Sequence, residues 1–319
     1  MRVTAHLADA QAGTQVWSER YDHALSDLFD LQIRVTADIV AAIAPQIEVT
    51  ETLRARSHRP ADSTRHEQAM QAWALANDAD RDPLARDRAL VLAQSVIAAD
   101  PSNALAWRSI AWSQAQQVYY DTTPQPAQAA AASLAAATRA VELDAGDHRG
   151  YVYGGLILAV LGRPDESLAD LRRALELNAN DVLGLSLLGF MEALCGDAPT
   201  GVTRAKEALR RSPRDPRRYL LFNLLAWALF GGQEYLQAVA IARQAIAERP
   251  SYPQIHLCLA LVFIGLGDVP RAREAFAQAR ALSLGYVQSR LDDVWLASSS
   301  NYRALANRFI RIAAGMDAA

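Results

Sequence analysis

The chain has 319 residues, 51% of them hydrophobic and 21% charged, with a formal net charge of −3. That is a globular composition, large enough for one long solenoid or two ordinary domains, and it excludes a disordered chain. So small a net charge gives no footprint for a nucleic acid partner. The first residues lack the apolar stretch of a secretory signal, and the greasiest segments, residues 219–230 and 257–267, are too short to span a bilayer. Two cysteines, Cys195 and Cys258, make no disulfide framework. These features together read as a soluble, cytoplasmic protein.

At the amino end Val3, Ala5 and Leu7 alternate with Thr4, His6 and Ala8. A turn cluster around Gly13 comes next, then residues 15–21 with Trp17 and Tyr21 in alternating positions, which predicts a β-hairpin. From residue 26 to 47 the period becomes helical, with Leu28, Leu31, Val35, Ile39, Ile43 and Ile47 on one face. Two strands and one helix bury too little to stand alone. The hairpin is expected either to dock on the helical part of the chain or to be the end of a larger domain. Residues 50–63, with Arg54, Arg56, Arg59 and Pro60, read as a linker.

From residue 64 to 284 the pattern is helical and repetitive. Ala145, Ala179 and Pro213 each close an amphipathic run at a spacing of 34; after three extra residues the series resumes at Pro250 and ends at Leu284. The clearest unit places Tyr151, Gly154, Gly155 and Leu158 on a first helix, turns at Gly162-Arg163-Pro164-Asp165, and places Ser167, Leu171 and Ala174 on a second. Small residues keep register on the second helices: Ser167, Gly201, Ala238, Ala272, and Ala174, Ala208, Ala245, Ala279. Two degenerate units precede these, one with an insert at residues 78–87 and one at residues 119–128, where Tyr119 and Tyr120 lie. Residues 287–296 and 302–314 are predicted as two closing helices, which an array needs to cover its last apolar face.

A 34-residue period with two helices per unit is similar to the tetratricopeptide repeat. The expected fold is mainly α: a tetratricopeptide-type α-solenoid, a right-handed superhelix of antiparallel helix pairs, with a short amino-terminal β-hairpin and helix. The expected boundaries are residues 1–49, 50–63, 64–284 (about six repeats) and 285–319.

The run Arg2-Val3-Thr4-Ala5-His6-Leu7-Ala8-Asp9-Ala10, with Gly13-Thr14 and Val16-Trp17-Ser18-Glu19-Arg20-Tyr21-Asp22, resembles the end of the TolB-like domain of bacterial signalling proteins that also carry tetratricopeptide repeats. Residues 27–32 and 39–45, Ala99-Asp100-Pro101 and residues 209–216 continue the likeness. In that family the preceding part is commonly a class III adenylate/guanylate cyclase or a winged-helix DNA-binding domain, neither of whose motifs occurs in this sequence. The resemblance implies a signalling role, the regulatory half of such a protein, or a truncated gene product.

The residues offer no catalytic constellation. Six histidines, His6, His23, His58, His66, His148 and His256, lack metal-ligand spacing, and each cysteine sits as a small apolar residue in a helix. Asp292-Asp293 reads as a favourable charge pair at the start of a short helix. No enzyme activity, cofactor or metal is expected. The expected job is holding a protein or peptide, with self-association as a further option and no role for nucleic acid.

Two surfaces are candidates for that job. Helical geometry puts Val152, Leu156, Phe190, Leu220, Leu224, Trp227, Leu257, Leu261 and Ile264 on the concave side, with Ala159, Ser186 and Ala193. This apolar groove has three readings: a site for an amphipathic or apolar segment, a channel filled by the chain's own helices, or a dimer interface. Arg210, Arg211, Arg214, Arg217 and Arg218 crowd one inter-repeat turn. They suit an acidic partner or a phosphate, or else are solvated cations at a helix carboxyl end.

Overall fold

The computed structural model describes residues 2–8, 15–22, 39, 43, 64–78, 83–120, 123–215 and 217–316. The predicted linker and all but Ile39 and Ile43 of the predicted helix at 26–47 lie outside them; those two residues are helical.

The hairpin forms as the alternation requires. Strand β1 (Arg2–Ala8) pairs antiparallel with β2 (Gln15–Asp22), from Arg2 opposite Asp22 to Leu7 opposite Trp17, with a register shift after Leu7.

From Arg65 onward the described residues form a stack of helical hairpins: α1 (Arg65–Asp78) with α2 (Pro83–Ala99), α3 (Ala104–Tyr119) with α4 (Pro126–Leu143), and α5 (His148–Val160) with α6 (Pro164–Leu177). Then come α7 (Val182–Cys195) with α8 (Ala198–Arg211), α9 (Arg218–Gly231) with α10 (Tyr235–Glu248), and α11 (Pro253–Gly265) with α12 (Val269–Leu282). Each first helix touches its own partner and the first helix of the next pair. The chain is a tetratricopeptide-type α-solenoid, as the 34-residue period implies.

Sequence dictates which helix goes inside. α7 (VLGLSLLGFMEALC) and α9 (RYLLFNLLAWALFG) are apolar all round and are buried on nearly every face. A helix with no polar stripe has no stable place at a surface. The second helices bury a narrow strip of small residues instead: Ala205 and Ala208 on α8, Ala238, Ala242 and Ala245 on α10.

The small residues let backbones meet. A side chain at Gly155 would collide with Leu171, and the same close approach lets the Ser167 hydroxyl donate to the Gly155 carbonyl at 2.7 Å. One unit earlier Ser133 donates to the Ala111 carbonyl at 2.8 Å.

Caps repeat as well. Asp147 and Asp181, 34 residues apart, accept from the first-turn amides of Arg149 and Gly184. Each carboxylate also meets a nitrogen of a side chain on the preceding first helix, Arg108 at 3.0 Å and His148 at 2.9 Å, which ties successive repeats together.

The carboxyl end departs from expectation. Instead of a helix over 287–296, a short α13 (Leu284–Leu291) stops at Asp292, and residues 292–299 run without regular structure into α14 (Ser300–Ala313). Asp292 and Asp293 therefore sit at a helix carboxyl end, not at an amino end. Carboxylates are unfavourable at that pole. The helix ends there with Asp293 in a left-handed conformation (φ 62°) and its carboxylate accepting from the Asn307 amide at 2.6 Å.

Candidate functional site: the inner face of the solenoid

The nine residues expected on the groove lie on successive first helices, α5, α7, α9 and α11. Val152, Leu156, Phe190, Leu220, Leu224, Trp227, Leu257 and Leu261 are buried, and Ile264 is half-buried. The cover comes from the chain itself, in two places.

The first cover is the end of α3. Tyr119 and Tyr120, expected in the insert at 119–128, turn inward. With Trp112, Gln116, Leu156, Leu183, Leu187, Leu220 and Leu224 they enclose a cavity of about 20 Å³. Tyr120 meets the Tyr252 ring edge-on at 5.9 Å, and the Gln254 amide on α11 donates to the Tyr119 carbonyl at 3.4 Å, closing the stack across 135 residues. Burial pushes the Tyr119 phenol well above its ordinary pKa. The Trp112 indole N–H and the Gln116 side-chain oxygen are buried in this wall with no hydrogen-bond partner among the described residues. An unpaired buried polar atom costs about 1–3 kcal/mol, and a cavity of about 20 Å³ has room for no more than one small polar group beside these two.

The second cover is the segment 292–299, which lies as a strap across the ends of two first helices. The Ala297 amide donates to the Ala159 carbonyl at 2.7 Å, and the Ser299 amide to the Leu194 carbonyl at 2.9 Å. Both acceptors belong to the last turns of α5 and α7, where helix carbonyls lack an intrahelical donor. Trp295 and Leu296 close a second cavity, of about 30 Å³, with Phe190, Leu194, Trp227, Tyr119, Tyr286, Tyr302 and Arg290. The Trp295 N–H donates to the Asn307 side-chain oxygen at 2.6 Å. Arg290 sits over the rings of Tyr286 and Trp295, 4.7 and 5.6 Å from their centroids, and donates to the Val294 carbonyl.

Of these lining residues Tyr119 and Tyr120 stand out in the sequence, whereas Trp112, Gln116, Arg290 and Trp295 do not. Trp112 and Gln116 lie four residues apart on α3, one stripe that the degenerate second repeat obscures.

The arginines of the cluster are engaged within the chain. Arg210 and Arg211 both grip Glu207, at 2.7 and 2.8 Å, and Arg211 also donates to the Ala179 carbonyl. The Arg210 hydrogen bond leads in lowering the Glu207 carboxyl to about 2. Arg218 pairs with Glu248 at 2.8 Å, and Arg217 approaches Asp215 at 3.9 Å. Arg214 lies in the same turn and is engaged too.

Cys195 is half-buried and Cys258 fully buried; burial raises both thiols, the less reactive direction. Among the described residues no group of three His, Cys, Asp or Glu could hold a metal ion, and no helix is long and apolar enough to cross a membrane.

No protein-family model matches the chain. It is 28% identical over 173 residues to a putative adenylate cyclase 3 of Rhizobium meliloti (strain 1021), a match covering 52% of this chain and 28% of that protein. The human IFIT1 dimer with m7Gppp-AAAA superposes with a TM-score of 0.60 at 16% identity, over 81% of this chain and 60% of that one. The Cut9–Hcn1 hetero-tetramer of the APC/C gives 0.58 at 17% identity, over 87% and 52%. The chain thus spans about 60% of IFIT1 and about half of the Cut9–Hcn1 chain it matches. At such identities the likeness to both structures is one of fold.

Proposed function

We propose that this chain is a non-catalytic protein-interaction module of a cytoplasmic bacterial signalling protein, and that the inner face of its solenoid receives an extended or amphipathic segment of a partner. One observation carries the reading. The stripe Leu156, Leu220 and Leu224 is continuous with two unpaired polar side-chain atoms, the Trp112 indole N–H and the Gln116 Oε1. Once the Tyr119–Tyr120 end of α3 swings aside, apolar pockets beside a lone donor and a lone acceptor suit a peptide, which offers side chains and a main-chain amide together.

The test is a selection of phage-displayed peptides on the purified chain, followed by calorimetry on the winners. Trp112→Phe deletes the N–H while keeping a ring to stack on Tyr153, now 4.7 Å away. Affinity is expected to fall about tenfold, the worth of one buried hydrogen bond, with the melting temperature little changed. A selection that returns no saturable binder sinks the proposal.

A second reading has its own support. The sequence match to a putative adenylate cyclase favours a regulatory portion of a cyclase-type protein. On that reading the chemistry belongs to another part of such a protein, and this module senses or docks.

A further inference from the structure

We infer that the strap 292–299 is the module's own stand-in for a partner, and that a segment of similar pattern displaces it. This rests on the reading of the inner face as a peptide site and adds the partner's chemistry and its control. The strap already behaves as a bound peptide. It has no regular structure of its own, it crosses two helix ends, and it bonds through main-chain amides two residues apart, Ala297 and Ser299. The strap's contacts show what the face reads: a bulky aromatic at Trp295 and an aliphatic residue at Leu296 over the cavity, then a small residue at the buried Ala297. Ala297 is 2% exposed, so a larger side chain there has to displace the groups packed around it.

The strap is held lightly compared with the helix pairs. Of residues 292–299 only Ala297 is buried, and Val294 is 57% exposed. Its latch is mainly polar: Trp295 N–H to Asn307, and Asn307 to Asp293, at 2.6 Å each, with Arg290 donating to the Val294 carbonyl and lying over the Trp295 ring. Asp293 keeps a left-handed backbone that a non-glycine residue adopts at a cost. The six helix pairs below it are completed by α12, before the strap begins. Releasing it leaves their packing standing and frees the Ala159 and Leu194 carbonyls for an incoming main chain.

The probe is a fluorescein-labelled peptide with the sequence of residues 293–299, Asp-Val-Trp-Leu-Ala-Ser-Ser, titrated against the full chain and followed by anisotropy. Asn307→Ala, at a half-buried position, removes both Asn307 bonds of the latch without touching the inner face. The variant is expected to bind the peptide at least ten times more tightly than the wild type, and a peptide with Ala297 replaced by Leu is expected to bind neither. Equal affinity for variant and wild type would overturn the gating while leaving the peptide site intact. Absence of binding to both would sink the peptide site with it. Hydrogen exchange on the wild type gives an arm independent of any substitution: the Ala297 and Ser299 amides should exchange faster than those of α7. Exchange only together with α7 would overturn the displaceable strap.

Discussion

The Nε2 atom of His148 lies 2.9 Å from a carboxylate oxygen of Asp181, one repeat further along the chain. Arg149 approaches the same carboxylate at 3.7 Å, and the Gly184 amide donates to it at 2.6 Å. Burial alone would raise the Asp181 pKa; the His148 hydrogen bond, the nearby Arg149 charge and the Gly184 amide overcome it and hold the carboxyl well below its ordinary value. A depressed carboxyl contributes stability that is present above its unfolded pKa of 3.8 and lost as the pH falls below it. Asp181→Asn should therefore cost about 2–3 kcal/mol near neutral pH and less on the acid side. Guanidinium denaturation followed by circular dichroism at pH 7 and pH 3 checks this. A cost that does not shrink with acid would show that the carboxylate acts only as a cap.

Asp170 on α6 behaves in the opposite sense. Burial first, and the Glu166 charge second, outweigh Arg163 and raise its pKa to about 6. A raised carboxyl makes the folded state hold its proton more tightly, so stability falls as the pH rises from about 4 through about 6. Asp170→Asn removes that loss. Because the side chain is only half-buried, the gain at pH 8 is about 1 kcal/mol after allowing for solvent screening. Melting curves of the two proteins should separate at pH 8 and draw together near pH 4.

Much of this fold was legible because a solenoid writes its contacts into a short period. The series Ala174, Ala208, Ala245, Ala279 is a run of contact points, and the all-apolar α7 and α9 could only be interior. What the period cannot carry is any contact between distant repeats. Tyr119 meeting Gln254, and Ala297 meeting Ala159, depend on how far the stack curls, a sum of small rotations no single repeat encodes. For the same reason the groove positions were identifiable as a stripe, while their cover was not. The helix expected over 287–296 failed for a local reason. Its apolar spacing suits a helix, but Asp292-Asp293 end one, and Trp295 finds a better partner in Asn307.

Gln233 gives a test of repeat logic. Gly162, Gly196 and Gly267 end the first helices of their units in left-handed conformation, and Gln233 takes the equivalent place with φ 58°. Its side chain is exposed. A non-glycine residue there costs about 1 kcal/mol in backbone strain, partly offset by the greater freedom glycine gives the unfolded chain. Gln233→Gly should stabilise the protein by about 0.5 kcal/mol, read as a small rise in melting temperature with unchanged helix content. A loss of stability would mean that the glutamine side chain contributes something beyond the turn.

Gly189 should respond in the reverse direction. Glycine to alanine inside a helix ordinarily adds about 1 kcal/mol. Here α7 and α8 meet backbone to backbone: a Cβ on Gly189 would stand 2.5 Å from the Gly201 carbonyl oxygen and 2.9 Å from the Ala205 amide nitrogen. Neither obstacle is the far end of a flexible side chain, so the helices themselves must part. Overpacking of this kind costs about 1–3 kcal/mol, and it more than cancels the propensity gain. Gly189→Ala is therefore expected to lower the melting temperature by several degrees and to loosen the near-ultraviolet signal, since Phe190 and Trp227 pack next to the shifted helices. If the variant instead melts higher than the wild type, the two helices are further apart than their small residues imply, and the solenoid's inner face is correspondingly wider.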